Sequence, residues 1–348
     1  MFYLTNLSVG SLICALAPTS VALIIGRAIA GSGGAGIFSG AFTVISYIVP
    51  LNQRPLFFAS VGAVNAIASV AGPLAGGAFT EHLTWRWCFY INLPIGGVTL
   101  FTILFLLPVP RQPLARLPLR QKFNEIDFLG AFFLIPAIVC LLLALQWGGS
   151  QDPWNSSVII GLFIGFGLMI IIFVVIQIKR GDNATLPISV LRQRTVASAA
   201  LFQLFMGAGL FIMIYYSNPP FLYLNLTSLV PIYFQAIKGS TPSESGLQLL
   251  PLMLSLVVMG LIVGALVTML GQYAIFIIVG AAIYTVGAGL MTLYTVDQPD
   301  WRAYGFSIVA GAGSGMAIQN AFLSVQAALP QSQLPIGNAI VMFCNTFR

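Results

Sequence analysis

SVAGPLAGGAFTEHLTWRWCFYINLPIGG, residues 69–97, joins two unlike halves of an apolar stretch. The first half contains three glycines and Pro73, and the second brings Trp85, Arg86 and Trp87 together just before another apolar run. Glycine and proline weaken helices in water. In a bilayer, small residues let helix backbones approach closely, and tryptophan prefers the boundary between lipid and water. The stretch therefore predicts a closely packed membrane helix that ends at the membrane surface near Trp85.

The composition of the whole chain supports a membrane protein. Of its 348 residues, 58% are hydrophobic and 6% are charged, and the mean hydropathy is +0.97. A soluble domain carries about 25% charged residues. Because the apolar runs are continuous and do not alternate with polar residues, they favour an all-α, polytopic membrane protein over a β-barrel.

The hydropathy pattern predicts about ten full transmembrane helices plus the start of another. Since Met1 opens directly into an apolar run and the last run stops at Arg348, we expect a chain truncated at both ends. The predicted spans are 1–18, 21–49, 55–80, 86–108, 127–148, 156–178, 196–216, 246–271, 273–294 and 303–329, with the further start near 336.

The basic residues predict the orientation of these spans. If the first span runs outward, nine lysines and arginines fall in inner loops and three in outer loops, as the positive-inside rule favours. The inner set is Arg54, Arg111, Arg116, Arg120, Lys122, Lys179, Arg180, Arg192 and Arg194, and the outer set is Arg86, Lys238 and Arg302. The predicted segments are a first bundle (1–108), a cytoplasmic connector (109–126), two central helices (127–180), a cytoplasmic loop (181–195) and a second bundle (196–348).

Several classes of chemistry have little support in the sequence. One histidine, His82, and four widely spaced cysteines do not supply a metal set. The net charge of +6 is confined to short loops, which argues against nucleic-acid binding. We therefore expect no enzyme, no metal and no cofactor. Two alternatives to a membrane transporter stay open: first a non-transporting membrane scaffold or degenerate fragment, and then a membrane enzyme.

Two runs of small residues stand out within the spans. Gly26, Ala30 and Gly33 follow helical spacing in the second span. The third span carries Gly62, Ala66, Ser69, Gly72 and Gly76 in the same manner, which fits either a moving interface or tight static packing. Arg27 lies inside an apolar run, where it faces a cavity or partner, or else reaches the membrane surface.

These residues resemble the major facilitator superfamily, specifically the fourteen-helix drug:proton antiporters common in fungi. Arg27, with Gly26, Gly31 and Gly33, resembles that family's fourth-helix motif. Ala68, Gly72, Pro73, Gly76 and Gly77 resemble its fifth-helix antiporter motif, and WRWCFYINLPIGG is similar to the start of its sixth helix. VPIYFQAIKGSTPSESGLQLLP and GAGSGMAIQN resemble the ninth-to-tenth helix join and the twelfth helix. On that mapping the chain covers helices three to twelve, residues 217–229 are extra sequence, and 127–178 holds the two additional central helices.

The resemblance implies a carrier that exports small amphipathic molecules by alternating access, driven by proton influx. It implies that Arg27 tunes or couples protonation and that the Gly72–Gly77 region forms a hinge-like contact. Candidate cavity residues are Asn65, Gln203, Gln235, Gln319, Asn320 and Gln326, each of which has the alternative of bonding a neighbouring helix. Every acid lies in a loop or at a span end, so the residue that carries the proton is not evident. Siderophores, sugars and amino acids are alternative solutes. A monomer in the plasma membrane is expected, with the vacuolar membrane as the alternative.

Overall fold

The computed structural model describes residues 1–106, 127–181, 184–216, 250–291 and 300–346. Within those ranges the chain forms thirteen α-helices, with a 3₁₀ turn at Gln331–Gln333. The helices are α1 (Phe2–Leu16), α2 (Ser20–Ile48), α3 (Arg54–His82), α4 (Trp87–Tyr90), α5 (Asn92–Leu106), α6 (Phe128–Trp147), α7 (Ser157–Arg180), α8 (Ile188–Leu191), α9 (Arg194–Tyr216), α10 (Leu250–Leu270), α11 (Ala274–Met291), α12 (Asp300–Ala328) and α13 (Leu334–Thr346). The predicted connector at 109–126 and the extra sequence at 217–229 lie outside the described residues.

Seven helical stretches of the described chain are long and apolar enough to cross a membrane. They lie in α2, α4–α5, α6, α7, α10, α11 and α12. At a rise of about 1.5 Å per residue, α3 and α9 also exceed the roughly 30 Å of a hydrocarbon core. These helices confirm the predicted all-α, polytopic membrane fold.

Side-chain caps fix where several helices begin. The side chains of Thr19, Asp127 and Ser156 accept hydrogen bonds from backbone N–H groups at the starts of α2, α6 and α7. These bonds satisfy N–H groups that have no partner within the helix. At the other end of α7, Gly181 adopts φ +60°, a conformation that favours glycine.

The described helices form two compact units. The first contains Met1–Leu107 and Ser198–Arg348, and the second contains Pro108–Ala197. In the second unit, α6 and α7 pack against each other as an antiparallel pair joined by a short turn at Gly148–Asp152.

In the first unit, α1 and α2 approach closely along the predicted small face of α2. A Cβ atom added to Gly26 would lie 2.7 Å from Cys14 Sγ, and one added to Gly33 would overlap the backbone of Leu7. On the facing helix, a Cβ atom at Gly10 would overlap Ala30. The absence of side chains at these glycines is therefore what allows the two backbones to meet.

Helix α12 lies between α10 and α11 and approaches both closely. Gly311 and Gly315, four residues apart, face the backbone of α10 at Leu252 and Leu256. Gly313 faces the opposite way, against the backbone of α11 at Tyr284. The glycines of GAGSGMAIQN thus allow α12 to approach α10 on one side and α11 on the other.

Arg86 ties the outer ends of two segments together. Its guanidinium stacks over the Trp85 ring at 4.8 Å and donates a hydrogen bond to Ala17 O, just after α1, at 3.0 Å. Asn92 reinforces the connection through a 3.2 Å hydrogen bond to Ser11 Oγ on α1. Arg86 and Asn92 therefore fix α1 to the segment that leads into α5.

Candidate functional site

Helix α3 has two halves with different surroundings. Near its first residue, the predicted cytoplasmic end, Phe58, Ala59, Ala63 and Ala66 are buried. A Cβ atom at Gly62 would overlap the Gln319 side chain of α12. The inner half of α3 is therefore packed against α12.

The same contact is seen from α10. A Cβ atom at Gly264 would lie 3.0 Å from both Ala59 Cβ and Pro55 O. Glycine at position 264 thus lets the inner ends of α3 and α10 meet backbone to backbone.

The outer half of α3, which carries the predicted antiporter motif, has no such contact. Among the described atoms, nothing lies within 4 Å of a Cβ position at Gly72, Gly76 or Gly77. Ala68 and Gly72 are exposed, and the helix continues through Pro73. The close approach predicted for this small-residue run is made by Gly62 and Ala59, and the motif glycines line an open face.

The fourth-helix motif is also divided between two faces of one helix. Gly26 and Gly33 are buried against α1, whereas Arg27 and Gly31 are exposed. Nothing described lies within 4 Å of a Cβ position at Gly31 or Gly34. Arg27 thus shares an open face with Gly31, on the side of α2 that does not contact α1.

Three phenylalanines form an aromatic layer at the inner end of the first unit. The Phe42 ring of α2 stacks on Phe322 of α12 with centroids 4.5 Å apart and planes 6° apart. It meets Phe58 of α3 edge-on at 5.0 Å. All three side chains are at most 2% exposed, so this aromatic layer is a dry contact between α2, α3 and α12.

A polar layer lies beside the aromatic one. Arg54, which is 9% exposed, donates from Nη2 to Ser46 O at 2.6 Å and from Nε to Val49 O at 3.0 Å. Its Nη1 donates to Gln326 Oε1 of α12 at 3.1 Å. Gln326 Nε2 in turn donates to Asn338 Oδ1 of α13 at 3.2 Å and to Phe42 O at 3.4 Å. This polar layer joins α2 and α3 to α12 and α13.

The remaining cavity candidates have different surroundings. Asn65 is exposed on α3. Gln203 is fully buried and donates to Ile318 O at 3.3 Å, while Asn320 donates to Met316 O of its own helix at 2.7 Å. Gln319 faces Gly62, and Gln235 lies outside the described residues.

Four buried side-chain polar atoms of the described residues have no described hydrogen-bond partner: Gln203 Oε1, Gln319 Oε1, the Tyr284 hydroxyl and Asn338 Nδ2. The Tyr284 hydroxyl lies 3.0 Å from a Cβ position at Gly209 of α9. Buried acceptors and hydroxyls normally form hydrogen bonds. Each of these four atoms therefore lacks, within the described residues, the hydrogen bond that buried polar atoms usually have.

Asp127, predicted only as a span-end acid, lies in a buried cluster of the second unit. Its Oδ2 accepts from Gln177 Nε2 at 2.6 Å, Thr185 Oγ1 at 2.9 Å and Thr185 N at 3.2 Å. Its Oδ1 accepts from Gly130 N at 2.8 Å and lies 3.5 Å from Arg180 Nη1. Burial alone would raise the pKa of Asp127, but its hydrogen bonds outweigh burial and hold the pKa below its usual value.

The sequence contains one feature that points to Asp127 and one that points to Arg54. Asp127 precedes an apolar run, where an aspartate commonly caps a helix. Arg54 also stands next to an apolar run, although it was counted only as a loop cation. Their partners were not evident, because Gln177 and Gln326 are 50 and 272 residues away in sequence.

Comparisons with known proteins agree with this architecture. The Major Facilitator Superfamily profile matches residues 1–347. The chain is 45% identical over 344 residues to the MFS-type efflux pump MFS1 of Arthroderma benhamiae, covering 99% of this chain and 62% of the relative. It is 47% identical over 336 residues to the efflux pump aflT of Aspergillus parasiticus, covering 96% and 63%. It is 43% identical over 338 residues to the efflux pump roqT of Penicillium rubens, covering 97% and 60%.

The chain thus spans about three fifths of the length of these curated relatives. Within that length, the match covers the glycine contacts of α2 and α12, the inner closure of α3 and the arginine-bearing face of α2. The chain belongs to the Major Facilitator Superfamily.

Proposed function

We propose that this chain is part of a proton-coupled transporter that exports amphipathic organic compounds by alternating access. The observation that carries the proposal is the division of α3 into a packed inner half and an open outer half. A carrier of this type holds one side of its central cavity closed while the other side is open. On the predicted orientation, the described arrangement corresponds to the state open to the outside.

The chemistry of the open faces supports an amphipathic solute. Small and apolar residues dominate them, and Arg27, Asn65 and Ser69 add a few exposed polar groups. Binding pockets for organic molecules are typically apolar with a small number of placed polar groups. The relatives named as efflux pumps support export as the direction of transport. The function proposed is therefore transport and not catalysis.

Arg27 is proposed to tune the protonation step. Within the described helices, acids occur only at or beside helix ends, at Glu81, Asp127 and Asp300, and the described chain supplies no acid in a helix interior. A cation on an exposed face beside the solute path would lower the pKa of a nearby proton carrier. We assign Arg27 this role, and Gly72, Gly76 and Gly77 the role of a small-residue surface that permits movement of α3.

The proposed setting is a monomer in the plasma membrane, where export removes a compound from the cell. The vacuolar membrane is the alternative, in which case the compound would accumulate in the vacuole. Fractionation of cells that express the full-length protein distinguishes these two destinations.

The test is export of an amphipathic dye from cells that express the full-length protein. We expect export to require a proton gradient and therefore to stop when a protonophore collapses it. Arg27→Ala should reduce export several-fold at unchanged protein level. The matched control is Arg192→Ala, which removes the same charged group from an exposed loop position.

The outcomes separate the alternatives. Export that persists without a proton gradient would contradict proton coupling. Uptake or export of a siderophore, sugar or amino acid, with no dye export, would assign another solute class. A protein that reaches the membrane but moves no solute would support the non-transporting scaffold.

A further inference from the structure

We call the contact of the inner half of α3 with α10 and α12 the inner closure. It includes a buried cation, Arg54, whose hydrogen-bond acceptors lie at the end of α2 and on α12. Two of its three hydrogen bonds go to Ser46 O and Val49 O, at the end of α2. The carbonyl groups at a helix C-terminus lack partners within the helix and carry partial negative charge. Only the third bond, to Gln326 Oε1, reaches α12. Of the three hydrogen bonds of Arg54, the one to Gln326 is therefore the bond that links α3 to α12 at the inner end.

The acceptor on α12 is neutral. No carboxylate of the described residues lies within 4 Å of the Arg54 guanidinium; the ion pair that the described chain does contain joins Arg180 to Asp127 in the other unit. The bond from the Arg54 guanidinium to this amide is already assisted by one charge, and a carboxylate at the same place would add the attraction between opposite charges, which is larger in a buried site than in water. A glutamate at position 326 would have nearly the same shape as glutamine and would supply that charge, with the loss of the two hydrogen bonds that Gln326 Nε2 donates to Asn338 Oδ1 and Phe42 O.

The orientation of the Gln326 amide is set by its own partners. Its Nε2 donates to Asn338 Oδ1 at 3.2 Å and to Phe42 O at 3.4 Å, which leaves Oε1 facing Arg54. Gln326 is 3% exposed, so no bulk water competes for these bonds. The residue is held in place and presents a neutral acceptor to a buried cation.

We propose that Gln326 sets the strength of the inner closure, and that its neutral amide keeps the contact with Arg54 weak enough to be released in every cycle. The proposal rests on the transport function proposed above. An interaction present in one of two states shifts their populations by its free-energy difference between the states. A carboxylate at position 326 would thus hold the inner end closed, whereas a shorter, apolar side chain would favour its opening.

The test measures how fast a buried thiol at the inner end reacts with a reagent supplied from the cytoplasmic side. Ser46→Cys is a conservative reporter there, because Ser46 is 1% exposed. Ser69→Cys, on the exposed outer half of α3, reports accessibility from outside. Both reporters are introduced into full-length protein whose native cysteines are replaced by alanine.

We expect Gln326→Glu to slow labelling at position 46 and to slow export, each about tenfold, because the attraction between opposite charges at Arg54 and position 326 outweighs the two lost amide bonds. Labelling at position 69 should be retained or increased, which shows that the variant is folded. Gln326→Ala should speed labelling at position 46. Gln331→Glu is the matched control: it adds the same charge at an exposed position near α13 and should leave both rates unchanged.

The proposal is overturned if Gln326→Glu labels at the parental rate at position 46, or if Gln331→Glu produces the same slowing. Labelling does not require a transported solute. If the parent protein exports nothing, the proposed function fails, and the labelling contrast still decides the role of Gln326.

Discussion

Gly31 and Gly33 belong to one motif and are two positions apart, yet they have opposite surroundings. Gly33 faces the backbone of α1, while Gly31 faces open space. The same residue type therefore meets a packing requirement at position 33 and no described packing requirement at position 31. Substitution to alanine tests this difference directly.

We predict that Gly33→Ala destabilises the protein by about 1–3 kcal/mol, the usual cost of overpacking a well-packed contact. Its new methyl group would overlap the backbone of Leu7. Gly31→Ala should be neutral or slightly stabilising, because alanine favours helix more than glycine does. Thermal unfolding of the purified protein in detergent measures both, and equal losses in the two variants would contradict the assignment.

The buried carboxylate of Asp127 provides a second prediction, at low pH. Because its folded pKa is lowered, its stabilising contribution is complete above the unfolded value of about 3.9 and is lost as pH falls through the folded pKa. The protection of the Thr185 and Leu186 amides against exchange, relative to the intrinsic exchange rate at each pH, should therefore fall below about pH 4. These amides donate to Asp127 Oδ2 and Gln177 Oε1.

The variant Asp127→Asn should show fast exchange at Thr185 and Leu186 already at neutral pH, with a local loss of about 2–4 kcal/mol. An amide group offers one acceptor oxygen where the carboxylate offers two. Asp152→Asn, at a loop carboxylate with no described hydrogen bond, is the control. Unchanged exchange in Asp127→Asn would show that the cluster does not hold this segment.

At the scale of elements, the contact between α3 and α10 defines the inner closure. We predict that Ala59→Cys with Gly264→Cys forms a disulfide under mild oxidation, because the two Cβ positions are 3.0 Å apart and a small outward shift brings them into the range of about 3.5–4.5 Å that a disulfide needs. The cross-link should stop export, and a reductant should restore it.

The control pair for this cross-link is Gly76→Cys with Gly264→Cys. Position 76 lies seventeen residues beyond position 59 on α3, roughly 25 Å along the helix axis. A disulfide in the control pair, or full export with the 59–264 disulfide formed, would contradict the described closure.

The bounds of the elements could be predicted from sequence better than their contacts. The apolar run 127–148 predicts α6 (Phe128–Trp147), and 21–49 predicts α2 (Ser20–Ile48), because a membrane helix is defined by continuous apolar sequence. The small face at Gly26, Ala30 and Gly33 was likewise visible, since helical spacing alone places these residues together.

Pairings between distant residues could not be predicted in the same way. The bond from Arg54 to Gln326 depends on how α3 and α12 are rotated about their axes and on where each helix ends. The hydropathy pattern indicates neither the rotation nor the relative position of the two helices. For the same reason, the sequence did not indicate which part of the small-residue run of α3 packs most closely; among the described residues, the close contact is at Ala59 and Gly62. Candidate site residues such as Arg27 stay predictions, because the described chain places them on a face without showing a solute.

At the scale of the whole molecule, the distribution of basic residues predicts which ends of the helices face the cytoplasm. Gln53 and Gln151 are exposed in turns that this orientation puts on opposite sides of the membrane. A membrane-impermeant thiol reagent should label Gln151→Cys in intact cells and Gln53→Cys only after permeabilisation. The reverse pattern would invert the proposed inside and outside.

The dry aromatic layer at Phe42, Phe58 and Phe322 has an electrical consequence. In the proposed outward-open state, water in the outer half brings the external potential down to this layer. Most of the membrane voltage then falls across the short closed end, where each elementary charge carried through the full field changes the free energy by about 2.3 kcal/mol per 100 mV. The Arg54 charge lies in the short region across which the voltage falls, so the resting membrane voltage exerts a force on Arg54 and thereby on the inner closure.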